Sequence, residues 1–220
     1  MAGKTATEEV EMIDVGRGVR TPGGGGLGGN GGEGDAVPLA RPQNIYLTGI
    51  FLLLAAILMF FMALTSSFIV RKGVSNDWAP IELPRILWWN TAVLLASSFT
   101  IEAARRSLAR SVSGDFRRWW TITTALGMLF LVGQVVAWQQ LRAAGVYLST
   151  NPSSSFFYLL TGAHGAHLFG GVAALLYVGW RSWPEQAGPS QGTAVTITSI
   201  YWHFLDALWV FLFLLLLLGR

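Results

Sequence analysis

All three histidines of the chain fall inside long apolar stretches, and an aspartate follows the last of them: His164, His167, His203 and Asp206. A charged side chain at mid-bilayer costs roughly 2.5–3.5 kcal/mol even on the lenient insertion scale, so ionisable groups at such depth need a reason. His164 and His167 are three apart, as are His203 and Asp206, so each pair shares one face if its stretch is helical. Four chemistries fit these types: a metal site, a haem held between imidazoles, a proton relay, or a hydrogen-bonded tie between helices. Depth favours the tie. At about 1.5 Å per residue, His164 and His167 lie about 12 and 16 Å below the start of their stretch. His203 and Asp206 lie about 14 and 18 Å above the opposite end of theirs. In a core about 30 Å thick, His164 comes level with Asp206 and His167 with His203. The expectation is a buried polar cluster of these four, with Gly162, Ala166 and Gly170 as a small-xxx-small packing stripe beside it.

The elements that must position them are read from hydropathy. Apolar residues make up 52% of the 220-residue chain and charged residues 12%, against roughly 25% charged in a soluble domain. Apolar stretches of spanning length predict helices over about 45–70, 84–104, 119–138, 156–180 and 193–218. Only helices or closed barrels satisfy their backbone within lipid, and no alternating pattern supports a barrel. The fold class expected is all-α, an integral membrane five-helix bundle in residues 41–220. Residues 1–40 are polar and then glycine-rich, which predicts a disordered tail. They lack the apolar run of a cleavable signal peptide.

Asn90, Ser97, Ser98 and Gln134 are expected to hydrogen-bond between helices, and Trp202 and Trp209 to contact lipid. Glu102 lies one turn before Arg105 and Arg106, which predicts an interfacial ion pair. Trp119, Trp120, Trp138, Trp180 and Trp183 sit at predicted helix ends, as an aromatic belt would. The absence of cysteine excludes disulfides, zinc-thiolate sites and iron–sulfur clusters. A net charge of +3 gives no footprint for nucleic acid. Arg41, Arg105, Arg106, Arg110, Arg117, Arg118 and Arg181 fall on one side, and Arg71, Lys72, Arg85, Arg142 and Arg220 on the other. That bias predicts a cytoplasmic N-terminus and an external C-terminus.

Five ordered motifs carry a family likeness. The segment Tyr201-Trp202-His203-Phe204-Leu205-Asp206-Ala207-Leu208-Trp209 resembles the ending of subunit III of haem-copper (cytochrome c) oxidases. Thr161-Gly162-Ala163-His164-Gly165-Ala166-His167, Leu126-Gly127 with Gln134, Asn90-Thr91 through Ser97-Ser98, and Phe60-Phe61 are similar to its other helices. The likeness covers about residues 43–218 and matches the short five-helix form. It implies an accessory subunit with no metal of its own, packed on subunit I beside subunit II and other respiratory-complex subunits. It also implies haem and copper in those partners, phospholipid bound here, and residence in the bacterial cytoplasmic membrane. Glutamates common in the family are Ile57, Ala137 and Thr196 here, so proton delivery through them does not carry over. Related readings are a quinol oxidase subunit or a nitric oxide reductase accessory protein. A different class is a standalone transporter or metalloenzyme using the histidines.

Overall fold

A computed structural model of the chain describes residues 43–74, 78, 82–110, 113–181 and 189–219. The expected tail over residues 1–40, the belt position Trp183, and Arg41 and Arg220 of the charge count lie outside the described residues. Five helices follow one another: α1 Gln43–Val74, α2 Ile86–Ala109, α3 Ser113–Ala143, α4 Pro152–Arg181 and α5 Pro189–Gly219. No strand occurs among the described residues.

Each helix runs past the end of its apolar stretch, and all but α2, which begins at Ile86, also start before it; at α3 and α4 the extra turns end in caps that hydropathy reads as loop. α4 starts at Pro152, four residues before the expected Phe156. Asn151 is its N-cap: its Oδ1 accepts from the Ser154 amide at 2.8 Å, and Pro152 takes the first helical position, where no amide proton is needed. α3 ends in a paired-bond C-cap. Val146 N donates to Leu141 O and Gly145 N to Arg142 O, both at 3.0 Å, around Gly145 at φ +78°. Glycine adopts that left-handed conformation at little cost, which is why the helix stops there.

Helices α2, α3, α4 and α5 form a ring in which each packs on the next, and α1 lies outside it against α4 and α5. α1, α3, α4 and α5 are long and apolar enough to cross a membrane. α2 does not reach that apolarity. It carries Asn90, Thr91, Ser97, Ser98, Thr100 and Glu102, and the first of these face its ring neighbours. On the far side of the bundle α1 closes over α5: Lys72 Nζ donates to Leu218 O at 3.1 Å and Trp78 Nε1 to Gly219 O at 3.2 Å. These donors satisfy carbonyls that a helix end leaves unpaired.

The ring centre is filled by two tryptophans of α5 seven residues apart, both 0% exposed. Trp202 Nε1 donates to Ser97 Oγ on α2 at 2.9 Å, while its ring lies against Gly127 of α3 and Gly171 of α4. Two turns on, Trp209 Nε1 donates to Thr91 Oγ1 on α2 at 3.0 Å and its ring meets Phe130 of α3 at 4.8 Å. Trp202 and Trp209, expected against lipid, are instead the interior of the molecule. The physical reason is that lipid and bundle core are equally apolar, so residue type does not reveal which one a large side chain faces.

Candidate functional site: the polar seams of the helix ring

The four ionisable groups do not form one cluster. Helix α5 turns His203 and Asp206 toward α2, not α4. Ser98 of α2 stands between them: its hydroxyl donates to Asp206 Oδ2, and His203 Nδ1 lies 3.1 Å from Ser98 Oγ. A hydroxyl has one proton to give, so His203 Nδ1–H is the donor in the second bond. The result is a short line from His203 through Ser98 to Asp206, with Asp206 3% exposed and His203 half-buried. It ties α5 to α2.

His167 turns the other way. Its Nδ1 donates to Ala163 O of its own helix at 2.7 Å, and its ring packs at 5.5 Å from Phe61 of α1. Tyr201 of α5 donates to the His167 carbonyl at 3.1 Å, which is a backbone bond and does not use the imidazole. His164 is 0% exposed and lies inside the ring, its imidazole 5.0 Å from the Trp209 ring and 6.0 Å from Phe130. Both its nitrogens lack a hydrogen-bond partner among the described residues. The expected pairing of His164 with Asp206 and His167 with His203 is therefore corrected: the depths were level, but the rotation of α5 aims its polar pair at a different neighbour.

The packing stripe is corrected as well. Ala166 and Gly170 are exposed, a side chain at Gly170 would meet nothing within 4 Å, and one at Gly162 would only graze Trp138 at 3.9 Å. Close approach happens at other glycines. A Cβ at Gly127 would come 2.6 Å from Trp202, one at Gly133 2.1 Å from Asn90 Oδ1, and one at Gly171 3.2 Å from Tyr201. Asn90 and Gln134 are buried at 4% and 2% exposure, and Asn90 Nδ2 and both ends of the Gln134 amide have no partner among the described residues. Ser97 and Ser98, expected to hydrogen-bond across helices, do so to Trp202 and to His203 and Asp206 of α5, whereas the sequence reading missed Thr91, which accepts from Trp209. Its place seven residues before Ser98, and so on the same face of α2, was the available signal.

Glu102 behaves as expected, within 3.0 Å of both Arg105 Nε and Arg106 Nε. Trp180 is exposed like a belt residue, whereas Trp120 is buried with its Nε1 donating to Leu175 O at 2.9 Å. Among the described residues no three His, Cys, Asp or Glu side chains gather as metal ligands would. An axial or equatorial ligand set needs convergence, and here the three imidazoles lie in different surroundings: His164 against Trp209 and Phe130, His167 against Phe61, and His203 against Ser98. A haem or copper ion does not fit these residues.

Buried amides and imidazoles from four helices, two central tryptophans and glycines cut to receive them define a specific helical ring. The family model for cytochrome c oxidase subunit III matches residues 43–218. The chain belongs to this family. It is 35% identical over 179 residues to the probable cytochrome c oxidase subunit 3 of Mycobacterium tuberculosis (strain ATCC 25618 / H37Rv), covering 80% of this chain and 88% of that one. It is 35% identical over 175 residues to cytochrome c oxidase subunit 3 of Thermostichus vulcanus, covering 76% and 84%. Against the Synechocystis protein of the same name it is 31% identical over 182 residues, covering 80% and 76%. As a subunit III family member it is a membrane protein and part of a haem-copper oxidase. Of the three positions that the likeness set against glutamates, Ile57 and Ala137 are buried apolar residues and Thr196 Oγ1 donates to Gly192 O at 2.8 Å.

Proposed function

We propose that this chain is the accessory, non-catalytic subunit III of a proton-pumping haem-copper terminal oxidase in an aerobic respiratory chain. It packs directly on subunit I, near subunit II, and stabilises it; haem and copper belong to those partners. The observation that supports this reading is the dispersal of His164, His167 and His203 into three different surroundings, where each serves helix packing. In this reading all five helices cross the bacterial cytoplasmic membrane, with the N-terminus cytoplasmic and the C-terminus external. α2 crosses because α3 and α5 cover its polar faces, so its low apolarity is not paid in contacts with lipid. Phospholipid is held along the outside of the ring, where α1 leaves a groove of about 690 Å³ against α4, lined by Ser66, Ser67, Val70, Arg71, Ser155 and Phe156.

The test is purification in mild detergent through a tag on this chain, with an optical spectrum and subunit identification of the eluate. Haem absorbance and a co-purifying haem-bearing subunit are expected. A colourless chain that elutes alone would overturn the reading in favour of a standalone transporter.

A further inference from the structure

The ring holds a set of buried polar side chains that neither the packing nor the family likeness assigns to anything. Asn90 of α2 lies against Gly133 of α3, the residue next to Gln134. Gln134 is bracketed one turn on either side by Phe130, whose ring packs on His164, and Trp138, whose Nε1 donates to Thr161 Oγ1 at 3.1 Å, one turn from His164. His164 in turn meets Trp209, and Trp209 bonds Thr91, the neighbour of Asn90. The circuit closes: Asn90 of α2, Gln134 of α3 and His164 of α4 are strung along one chain of contacts inside the ring that returns through Trp209 of α5.

Asn90, Gln134 and His164 are 4%, 2% and 0% exposed, and five of their polar atoms have no partner among the described residues. Reassigning protons or flipping amides does not remove the deficit. Both ends of Gln134 and both nitrogens of His164 are unpaired, so either orientation or tautomer leaves a donor and an acceptor unmet. Buried polar groups in folded proteins almost always find partners. The atoms on offer are neutral donors (the two amide NH₂ groups and one imidazole N–H) with neutral acceptors (the Gln134 carbonyl and the other imidazole nitrogen). No carboxylate joins them, so the set suits a small neutral molecule that both gives and takes hydrogen bonds.

We propose that Asn90, Gln134 and His164 form a buried binding site for ordered water inside the helix ring, beside Trp209. One or two molecules with two to four polar partners each meet these needs. They link Asn90, Gln134 and His164 across three helices, and they hold His164 in place without using it as a metal ligand.

The test is a cryo-electron microscopy map of the intact oxidase, at a resolution that shows ordered water elsewhere in the complex. Density within hydrogen-bond distance of the Gln134 amide and a His164 nitrogen is expected. The same map of Q134M, similar in shape but without the amide, is expected to lose that density while neighbouring waters stay. Side chains bonded directly to one another with no intervening density would overturn the proposal, as would strong density at metal–ligand distance from a His164 nitrogen. If Q134M does not assemble, the wild-type map alone decides.

Discussion

The indole of Trp202 occupies the space into which a side chain at Gly127 would point: a Cβ there would come within 2.6 Å of Trp202 Cη2 and 3.1 Å of Val172 Cγ2. Trp202 has no easy retreat, since its Nε1 is bonded to Ser97 and its other face meets Gly171. Gly127→Ala is therefore expected to destabilise the subunit by about 1–3 kcal/mol through overpacking, despite the roughly 1 kcal/mol that alanine gains in helix propensity. Gly170→Ala, in open space, is expected to be neutral or slightly stabilising. Thermal dissociation of the subunit in detergent would separate the two.

Ser98 and Asp206 are bonded, whereas Asp206 and His164 are given separate surroundings. A double-mutant cycle on Ser98→Ala and Asp206→Asn is expected to show a coupling of at least about 0.5 kcal/mol, while His164→Phe and Asp206→Asn add. Coupling between His164 and Asp206 larger than that between Ser98 and Asp206 would restore the direct clasp between α4 and α5.

Two caps set the turn between α3 and α4. Asn151→Ala removes the acceptor for the Ser154 amide and is expected to cost about 0.5–2 kcal/mol. Gly145→Ala forces a Cβ into φ +78° and is expected to cost about 1–2 kcal/mol. Both losses should appear as faster proteolysis of this turn in the assembled complex.

Lys72 places a cation on the last carbonyls of α5. Lys72→Met is expected to weaken that end by about 0.3–1 kcal/mol, read as faster amide hydrogen exchange in the final turn of α5. An unchanged rate there would show that Trp78 alone suffices.

The five helices and their order were legible in the sequence because hydrophobic runs of spanning length have one structural solution in lipid. Their ends were less so. The cap at Asn151-Pro152 resembles a helix breaker unless Pro152 is recognised as a first-turn residue, and Gly145 marks a stop beyond the point where apolarity fades. For the site, counting residues gives depth, and depth placed His164 level with Asp206. It does not give rotation about the helix axis, and rotation sends His203 and Asp206 to Ser98. The same ambiguity hid the tryptophans. With apolar surroundings on both sides of a membrane helix, Trp202 and Trp209 could face in or out, and only the glycines opposite Trp202, Gly127 and Gly171, marked the inward direction. The Gly162, Ala166 and Gly170 stripe carried the same period but faces outward.

The claim on which the account turns is that this chain's imidazoles hold helices and bind no redox metal. The direct measurement is haem and copper per complex, by optical spectrum and elemental analysis, in oxidase carrying His164→Gln, His167→Gln or His203→Gln with the chain confirmed as present. The account expects wild-type metal content and spectra in all three, with lowered heat stability. Loss of one haem or one copper while the subunit remains bound would contradict it.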